Sequence, residues 1–144
     1  MAYMCNLYLY ITHVSGEGVI EMKKFSQISD AEWQVMQVIW GNSPITANEV
    51  IDQLKNNSDW KPKTIKTLIR RLVDKKVLGF HKDGKAYLYY PIVSENEGIR
   101  TESDTFLKKV FNGSLNLMLA NFIDEQRLSE EDIRELKRII DGRE

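Results

Sequence analysis

The sequence has few of the residues on which disulfide and metal chemistry depend. Among its 144 residues, Cys5 is the only cysteine, and His13 and His81 are the only histidines. A single cysteine cannot form a disulfide framework, and a free thiol fits a reducing cytoplasm. The two histidines are far apart and lack further ligands at metal spacing. The sequence therefore predicts a cytoplasmic protein that has no metal and no cofactor.

Long hydrophobic runs and an excess of one charge are also missing. No apolar run approaches the roughly 20 residues that cross a membrane. Residues 1–21 are apolar, but they contain no Lys or Arg, so the basic start of a signal peptide is absent. We expect residues 1–21 to be a disordered or non-native extension outside the fold. The alternative is an added strand or a segment that binds a partner.

Charge is instead distributed unevenly along a chain whose formal net charge is −1. Residues 61–85 contain nine Lys or Arg and only two Asp, which gives a local net charge of +7. Residues 124–144 contain eight Asp or Glu and five Lys or Arg, which gives −3. A basic middle and an acidic end indicate that the two parts have different functions.

The basic middle lies within a pattern of three helices and a hairpin. Two capping boxes, Ser29 with Glu32 and Thr46 with Glu49, mark the first two helix starts. Pro62 opens the third helix, since a proline at the first helical position loses no hydrogen bond. Asp83-Gly84 is a strong hairpin signal between two strand-like segments. This order predicts a winged helix-turn-helix domain over residues 22–93, in a fold that is mainly α.

Residues 62–76 predict a helix with one apolar face and one cationic face. Ile65, Leu68 and Leu72 fall on one side at helical spacing, while lysines, arginines and threonines fall on the other. Cations without acidic partners repel one another unless phosphates neutralise them, and such a helix fits the major groove of DNA. The alternative is a merely basic surface helix. With two lysines at the hairpin, the predicted DNA-binding residues are Lys63, Thr64, Lys66, Thr67, Arg70, Arg71, Lys82 and Lys85.

Residues 94–144 predict three short amphipathic helices that form a dimerisation domain. Three such helices cannot bury all their apolar faces alone, and DNA-binding proteins are commonly two-fold symmetric. We therefore expect a homodimer on palindromic double-stranded DNA; the alternative is that these helices dock onto their own winged helix. The predicted interface residues are Phe106, Val110, Leu115, Leu119, Phe122, Ile133, Leu136 and Ile140.

Several segments resemble the penicillinase-repressor (BlaI/MecI-type) family of bacterial regulators. The resemblance is carried by "ISDAEWQVMQVIW", "ANEV", "PKTIKTLIRRL" and "LSEEDIRELKRII", and it covers about residues 26–142. It implies a homodimeric winged-helix repressor whose operators precede β-lactamase and related genes. Lys61 departs from the family, which usually has a capping Ser before the proline. This change weakens the helix cap by about 1 kcal/mol and adds a cation near DNA.

The resemblance also implies a mechanism of release. A membrane sensor-protease that responds to β-lactams would lead to cleavage of an Asn-Phe bond in the dimerisation domain, and this motif matches Asn121-Phe122. From the residues alone, Asn121-Phe122 is only a polar residue beside a core aromatic. No small-molecule ligand of the repressor itself is expected.

Other functions remain as alternatives. The chain could regulate unrelated genes within the same family, or it could be a winged-helix module that binds protein rather than DNA. The cationic face of helix 62–76 argues against the second alternative. An enzyme is not predicted, because the sequence offers neither a paired base and nucleophile nor a glycine loop that binds phosphate.

Overall fold

A computed structural model describes residues 7–14 and 20–143 of the chain, and it describes side chains from residue 27 to residue 143. The winged helix-turn-helix prediction is confirmed, and helices outnumber strands. The elements in chain order are β1 (Leu7–Val14), β2 (Ile20–Ser26), α1 (Asp30–Gly41), α2 (Ala47–Leu54), α3 (Pro62–Asp74), β3 (Leu78–Asp83), β4 (Ala86–Pro91), α4 (Glu95–Phe111), α5 (Leu115–Asp124) and α6 (Glu130–Asp141).

The N-terminal segment differs from the sequence prediction. Residues 7–14 form β1, which pairs with β2 in an antiparallel register that sets Leu7 opposite Ser26 and Tyr10 opposite Lys23. The expected disorder therefore does not hold for residues 7–14, and the expected boundary after residue 21 falls inside a strand pair. The segment "LYLYITHV" is rich in aromatic and β-branched residues, which favour strands. Residues 1–6 and 15–19 lie outside the described part of the chain.

The core of the winged helix is built from the apolar faces of α1, α2 and α3 together with the start of β3. Ile45, between α1 and α2, forms an isolated bridge with Tyr89 of β4 through two backbone hydrogen bonds of 3.1 and 2.8 Å. This bridge attaches the β3–β4 hairpin, which we call the wing, to the turn before α2. The buried apolar residues are Ile28, Val35, Met36, Ile39, Ile45, Val50, Leu54, Ile65, Leu68, Ile69, Leu72, Val77, Leu78 and Val93.

Helix starts follow the predicted capping residues, with one difference. At α2, Thr46 and Glu49 form the complete box, since each side chain binds the backbone N–H of the other residue. At α1, the Ser29 hydroxyl accepts from the Glu32 N–H at 3.2 Å. The Glu32 carboxylate does not bind the Ser29 N–H, however, but accepts from the Ser29 hydroxyl at 2.8 Å. The box at α1 is therefore half formed, and the Glu32 carboxylate has another partner.

The chain divides into two compact units, one ending at Thr101 and the other beginning at Glu102. The expected boundary between residues 93 and 94 thus lies too early, because the first two turns of α4 belong to the winged-helix unit. These turns pack against α1, where Gly98 lies under Trp40. The Trp40 indole N–H donates to the Val93 carbonyl at 2.9 Å, and its ring meets Trp33 edge-on at 5.1 Å.

A side chain at Gly98 is expected to disrupt this packing. A Cβ added at Gly98 would lie 2.9 Å from Cη2 of Trp40, whose ring is held by the Val93 carbonyl and by Trp33. We expect Gly98→Val to lower the free energy of unfolding by about 1–3 kcal/mol, the usual range for overpacking. Urea denaturation of Gly98→Val beside Gly41→Val measures this, since nothing lies within 4 Å of a Cβ at Gly41. Equal stability of the two variants would contradict the proposed contact.

Candidate nucleic-acid interface

The two predicted faces of α3 are present in the structure. Ile65, Leu68, Ile69 and Leu72 are buried against the rest of the winged helix. The six predicted DNA-binding residues of α3, from Lys63 to Arg71, are all exposed. No acidic residue lies in the first turn of α3, and Asp74 is its only acid. From Lys63 to Arg71, the outward face of α3 is thus a continuous surface of cations and hydroxyl groups, and Asp74 follows one turn after Arg70.

The start of α3 is positive for a second reason. Pro62 occupies the first turn, and Lys61 stands at the N-cap position without a side-chain hydrogen bond to the helix. The backbone N–H groups at a helix start carry partial positive charge, which attracts anions such as phosphate. Lys61, Lys63 and Arg71 line one shallow depression of about 300 Å³ together with Thr64, Thr67 and Leu68. Lys61 is not among the predicted DNA-binding residues, although it is expected to add a cation near DNA.

A second depression of about 350 Å³ lies between the start of α2, α3 and the wing. Lys66 of α3 and Lys85 of the wing line it, so the fold brings together two predicted residues that are distant in the sequence. Asn48, Tyr87 and Tyr89 line it as well, and the sequence analysis named none of them. No local pattern points to these residues, because they meet only through the bridge between Ile45 and Tyr89.

Tyr89 lies in this depression as a hydrogen-bond donor rather than an anion. Burial raises the pKa of the Tyr89 hydroxyl above its ordinary value, and the neighbouring Tyr87 adds to this effect. Tyr89 therefore stays protonated well above neutral pH, so its O–H can donate a hydrogen bond to an anion. Phe80 packs edge-on against Tyr87, with ring centroids 5.4 Å apart, and supports the tyrosine ring from the neighbouring strand.

Two predicted residues stand apart from these depressions. Lys82 lies on β3 opposite Tyr87, is exposed, and lines neither depression. Arg70 is exposed on α3 and lines neither. Gly84 and Lys85 form the two-residue turn of the wing, and the φ of +62° at Gly84 suits glycine. The structure thus groups Lys66 with Lys85, and Lys63 with Thr64, Thr67 and Arg71, while Lys82 and Arg70 remain single exposed cations.

Thr67 and Lys82 allow sequence readout to be separated from phosphate binding. The Thr67 hydroxyl donates to the Lys63 carbonyl at 3.0 Å, so it can only accept a hydrogen bond from a base or touch a thymine methyl. We expect Thr67→Ala to relax preference at one base position by about 1–3 kcal/mol. Lys82→Ala should weaken binding to all sequences about equally. Titration against operators changed at single positions measures both effects, and uniform loss in both variants would contradict readout by Thr67.

The second unit leaves apolar side chains uncovered. None of the described residues from 102 to 143 is buried. Of the predicted interface residues, Phe106, Val110, Leu115 and Ile140 are 45–63% exposed. Leu119, Phe122, Ile133 and Leu136 are half-buried. Three residues that the sequence analysis omitted from the interface, Leu117, Ile123 and Ile139, are also about half exposed, at 54%, 49% and 49%.

The predicted cleavage bond lies inside a helix. Asn121 is exposed and Phe122 is half-buried near the end of α5. The Asn121 carbonyl accepts from the Glu125 N–H at 3.1 Å, and the Phe122 carbonyl accepts from the Arg127 N–H at 2.9 Å. The Phe122 ring meets Phe111 edge-on, and the Arg127 guanidinium lies 4.7 Å from its centroid. The Asn121-Phe122 bond is therefore held on both sides by local contacts.

In the part of the chain that the structure describes, no helix combines the length and apolar character needed to cross a membrane. Three helices followed by a two-stranded wing, with an exposed cationic third helix, define a winged-helix protein of the DNA-binding type. Comparison with known proteins assigns the chain more narrowly.

A family model described as Penicillinase repressor matches residues 28–142. The penicillinase repressor of Bacillus licheniformis is 47% identical over 120 residues, which cover 83% of this chain and 94% of that protein. The methicillin resistance regulatory protein MecI of Staphylococcus aureus (strain N315) is 39% identical over 117 residues, which cover 81% of this chain and 95% of MecI. The chain belongs to the penicillinase repressor family. These relatives are named as repressors and regulators, not as enzymes.

Among solved structures, a similar one is the solution structure of the monomeric form of Bacillus licheniformis BlaI in complex with the blaP half-operator. It is 50% identical, covers 53% of this chain and 93% of its own, and has a TM-score of 0.47.

Proposed function

We propose that the chain is a homodimeric transcriptional repressor that binds palindromic double-stranded operator DNA in front of β-lactamase or related resistance genes. One observation carries the DNA-binding part: from Lys63 to Arg71, the outward face of α3 presents only cations and threonines. A solvated helix usually mixes charge signs, since opposite charges four residues apart stabilise it. Asp74, four residues after Arg70, is the one acid of α3, so most of these cations have no acidic partner on the helix. Such an excess of cations is best explained by a polyanion that binds there. Membership of the penicillinase repressor family supports DNA as this polyanion.

In this proposal α3 enters the major groove and the wing contacts the adjacent backbone. Lys66 and Thr67 lie in the early turns of the helix, where recognition helices usually reach base edges. Lys85 and Tyr87 would meet the phosphates beside the groove, because they share a depression with Lys66. Phosphate contacts fix the position of the protein, and base contacts supply sequence preference.

Dimerisation brings a second winged helix to the DNA. None of residues 102–143 is buried, and many apolar side chains of α4, α5 and α6 are exposed. These side chains support a symmetric contact between two copies of the chain. Each winged helix then binds one half-site, and linking two weak contacts raises the overall affinity without any new contact.

Release by proteolysis is the finer part of the proposal. Cleavage of Asn121-Phe122 by way of a membrane sensor-protease would separate α6 from most of α5 and so remove part of the dimer contact. Since the Asn121 and Phe122 carbonyls both accept backbone hydrogen bonds, from Glu125 and Arg127, the end of α5 has to open before a protease can bind it in extended form. The repressor itself needs no small-molecule ligand and no cofactor in this scheme.

Footprinting of the full-length protein on the promoter of its own gene and of neighbouring resistance genes tests the proposal. We expect two protected half-sites related by a two-fold axis, about one helical turn or a multiple of it apart. Protection of a promoter unconnected with β-lactam resistance would instead favour a family member that controls other genes. A chain that protects no DNA, yet is dimeric and folded, would contradict the DNA-binding function and favour a protein-interaction module.

A further inference from the structure

Among residues 27–143, Glu32 is the one charged residue that is buried, with 2% of its surface exposed. Its Oε1 accepts from the Lys75 ammonium at 2.7 Å and from the Ser29 hydroxyl at 2.8 Å. The Lys75 ammonium also donates to the Gln27 carbonyl at 2.8 Å. Lys75 follows the last residue of α3, and Glu32 lies in the first turn of α1. The ion pair therefore joins the end of α3 to the start of α1.

Stability alone does not explain this ion pair. A buried carboxylate loses its hydration, and a well-packed apolar pair in its place is often equally stable or more so. Glu32 Oε2 has no hydrogen-bond donor in the described part of the chain, which increases the free-energy cost of burying the carboxylate. Buried ion pairs with directional hydrogen bonds can instead specify one arrangement among several that pack almost equally well.

Apolar packing between α1 and α3 does not by itself fix the rotation of α3 about its axis. Met36 and Ile39 of α1 and Leu72 of α3 belong to one buried apolar cluster, and apolar burial has no preferred direction. Lys75, by contrast, is held at both ends: its backbone N–H donates to the Arg71 carbonyl at 2.9 Å, and its ammonium binds Glu32 and Gln27. The end of α3 thus has a fixed rotation relative to α1.

We propose that Lys75 and Glu32 are positioning residues that hold α3 in the rotation at which its outward face reads bases, so that they determine discrimination between sequences rather than affinity for phosphate. This inference rests on the DNA-binding function proposed above. A helix that turns slightly about its axis keeps its cations near the backbone, since phosphate contacts tolerate shifts. Hydrogen bonds to base edges require tighter geometry, so sequence preference is lost first.

The test uses the full-length protein and the double variant Glu32→Met/Lys75→Met, which keeps the net charge. We measure urea unfolding, affinity for the operator, and affinity for unrelated DNA of equal length at one salt concentration. We expect unfolding close to that of the unchanged protein, unrelated DNA bound within about twofold, and a ratio of operator to unrelated affinity reduced about tenfold or more, comparable to one mismatched base pair. The control Asp52→Gln/Lys55→Gln removes an exposed ion pair and also keeps the net charge; it should keep the full ratio.

Two single variants give a second measurement that does not depend on the double variant. Glu32→Gln keeps an oxygen that accepts from Lys75, so it should retain most of the ratio of operator affinity to unrelated-DNA affinity. Lys75→Met removes the donor, so this ratio should fall as it does in the double variant. Full discrimination by Lys75→Met or by the double variant would overturn the inference. If the unchanged protein shows no preference for the operator, the proposed function itself fails; if it discriminates and the variants do so equally, only the positioning role fails.

Discussion

Raising the salt concentration from 50 to 200 mM is expected to weaken operator binding by the intact protein roughly 10³-fold or more, the range for six to ten phosphate contacts. We expect five of the exposed cations on α3 and the wing of each protomer to contact phosphates, and a dimer presents both sets to the DNA. They are Lys63, Lys66, Arg70, Lys82 and Lys85, all exposed. Each cation that neutralises a phosphate releases condensed counterions, and this release becomes less favourable as salt rises.

A gel-shift series over this salt range measures the slope of log affinity against log salt. Replacing Lys82 with Gln should reduce the slope by about 0.9 for each phosphate contact removed. Lys55→Gln, an exposed change at the residue after α2 that lines neither depression, is the matched control and should leave the slope unchanged. A flat response of the intact protein would contradict the assignment of the cationic face of α3 to DNA.

Removing everything after Asn121 is expected to lower operator affinity about 10²–10⁴-fold, the range gained when two binding modules are linked. The truncated chain should run from residue 1 to residue 121, because β1 pairs with β2 and a start at residue 22 would leave β2 without its partner strand. We expect the fragment to be monomeric, since α6 and the end of α5 carry Phe122, Ile133, Leu136 and Ile140.

Sedimentation and operator titration of the fragment and the full chain make the comparison. Binding of each protein to an isolated half-site provides the control. In the proposed function one winged helix binds one half-site, so the two proteins should bind it within a few-fold of each other. Circular dichroism verifies that the fragment keeps its helices. A fragment that stayed dimeric and bound the whole operator as tightly as the intact protein would refute release by cleavage at Asn121-Phe122.

Local patterns predicted the elements that local forces determine. The capping residues Ser29 and Thr46, Pro62 at the start of α3 and Gly84 in the wing each act within a few residues of the chain, and the structure contains each element where they indicated it. The two faces of α3 followed from helical spacing alone. The assignment of these residues to DNA contacts stays a prediction.

Contacts between distant segments were not predictable in the same way. Glu32 looked like a capping residue, yet its carboxylate binds Lys75, 43 residues further on. The depression lined by Lys66 and Lys85 depends on the pairing of Ile45 with Tyr89, and neither segment contains a pattern that predicts this bridge. The boundary after residue 93 came from a change in pattern, whereas the actual division depends on how Gly98 packs against Trp40.

The packing of Gly98 against Trp40 determines where a winged-helix fragment of this chain can end. A piece that ended at residue 93 would lose the first two turns of α4 and would expose the rings of Trp33 and Trp40, which Gly98 covers. Large exposed apolar rings promote aggregation. A fragment that keeps Trp33 and Trp40 covered therefore has to include α4 as far as Thr101, the last residue of the first unit.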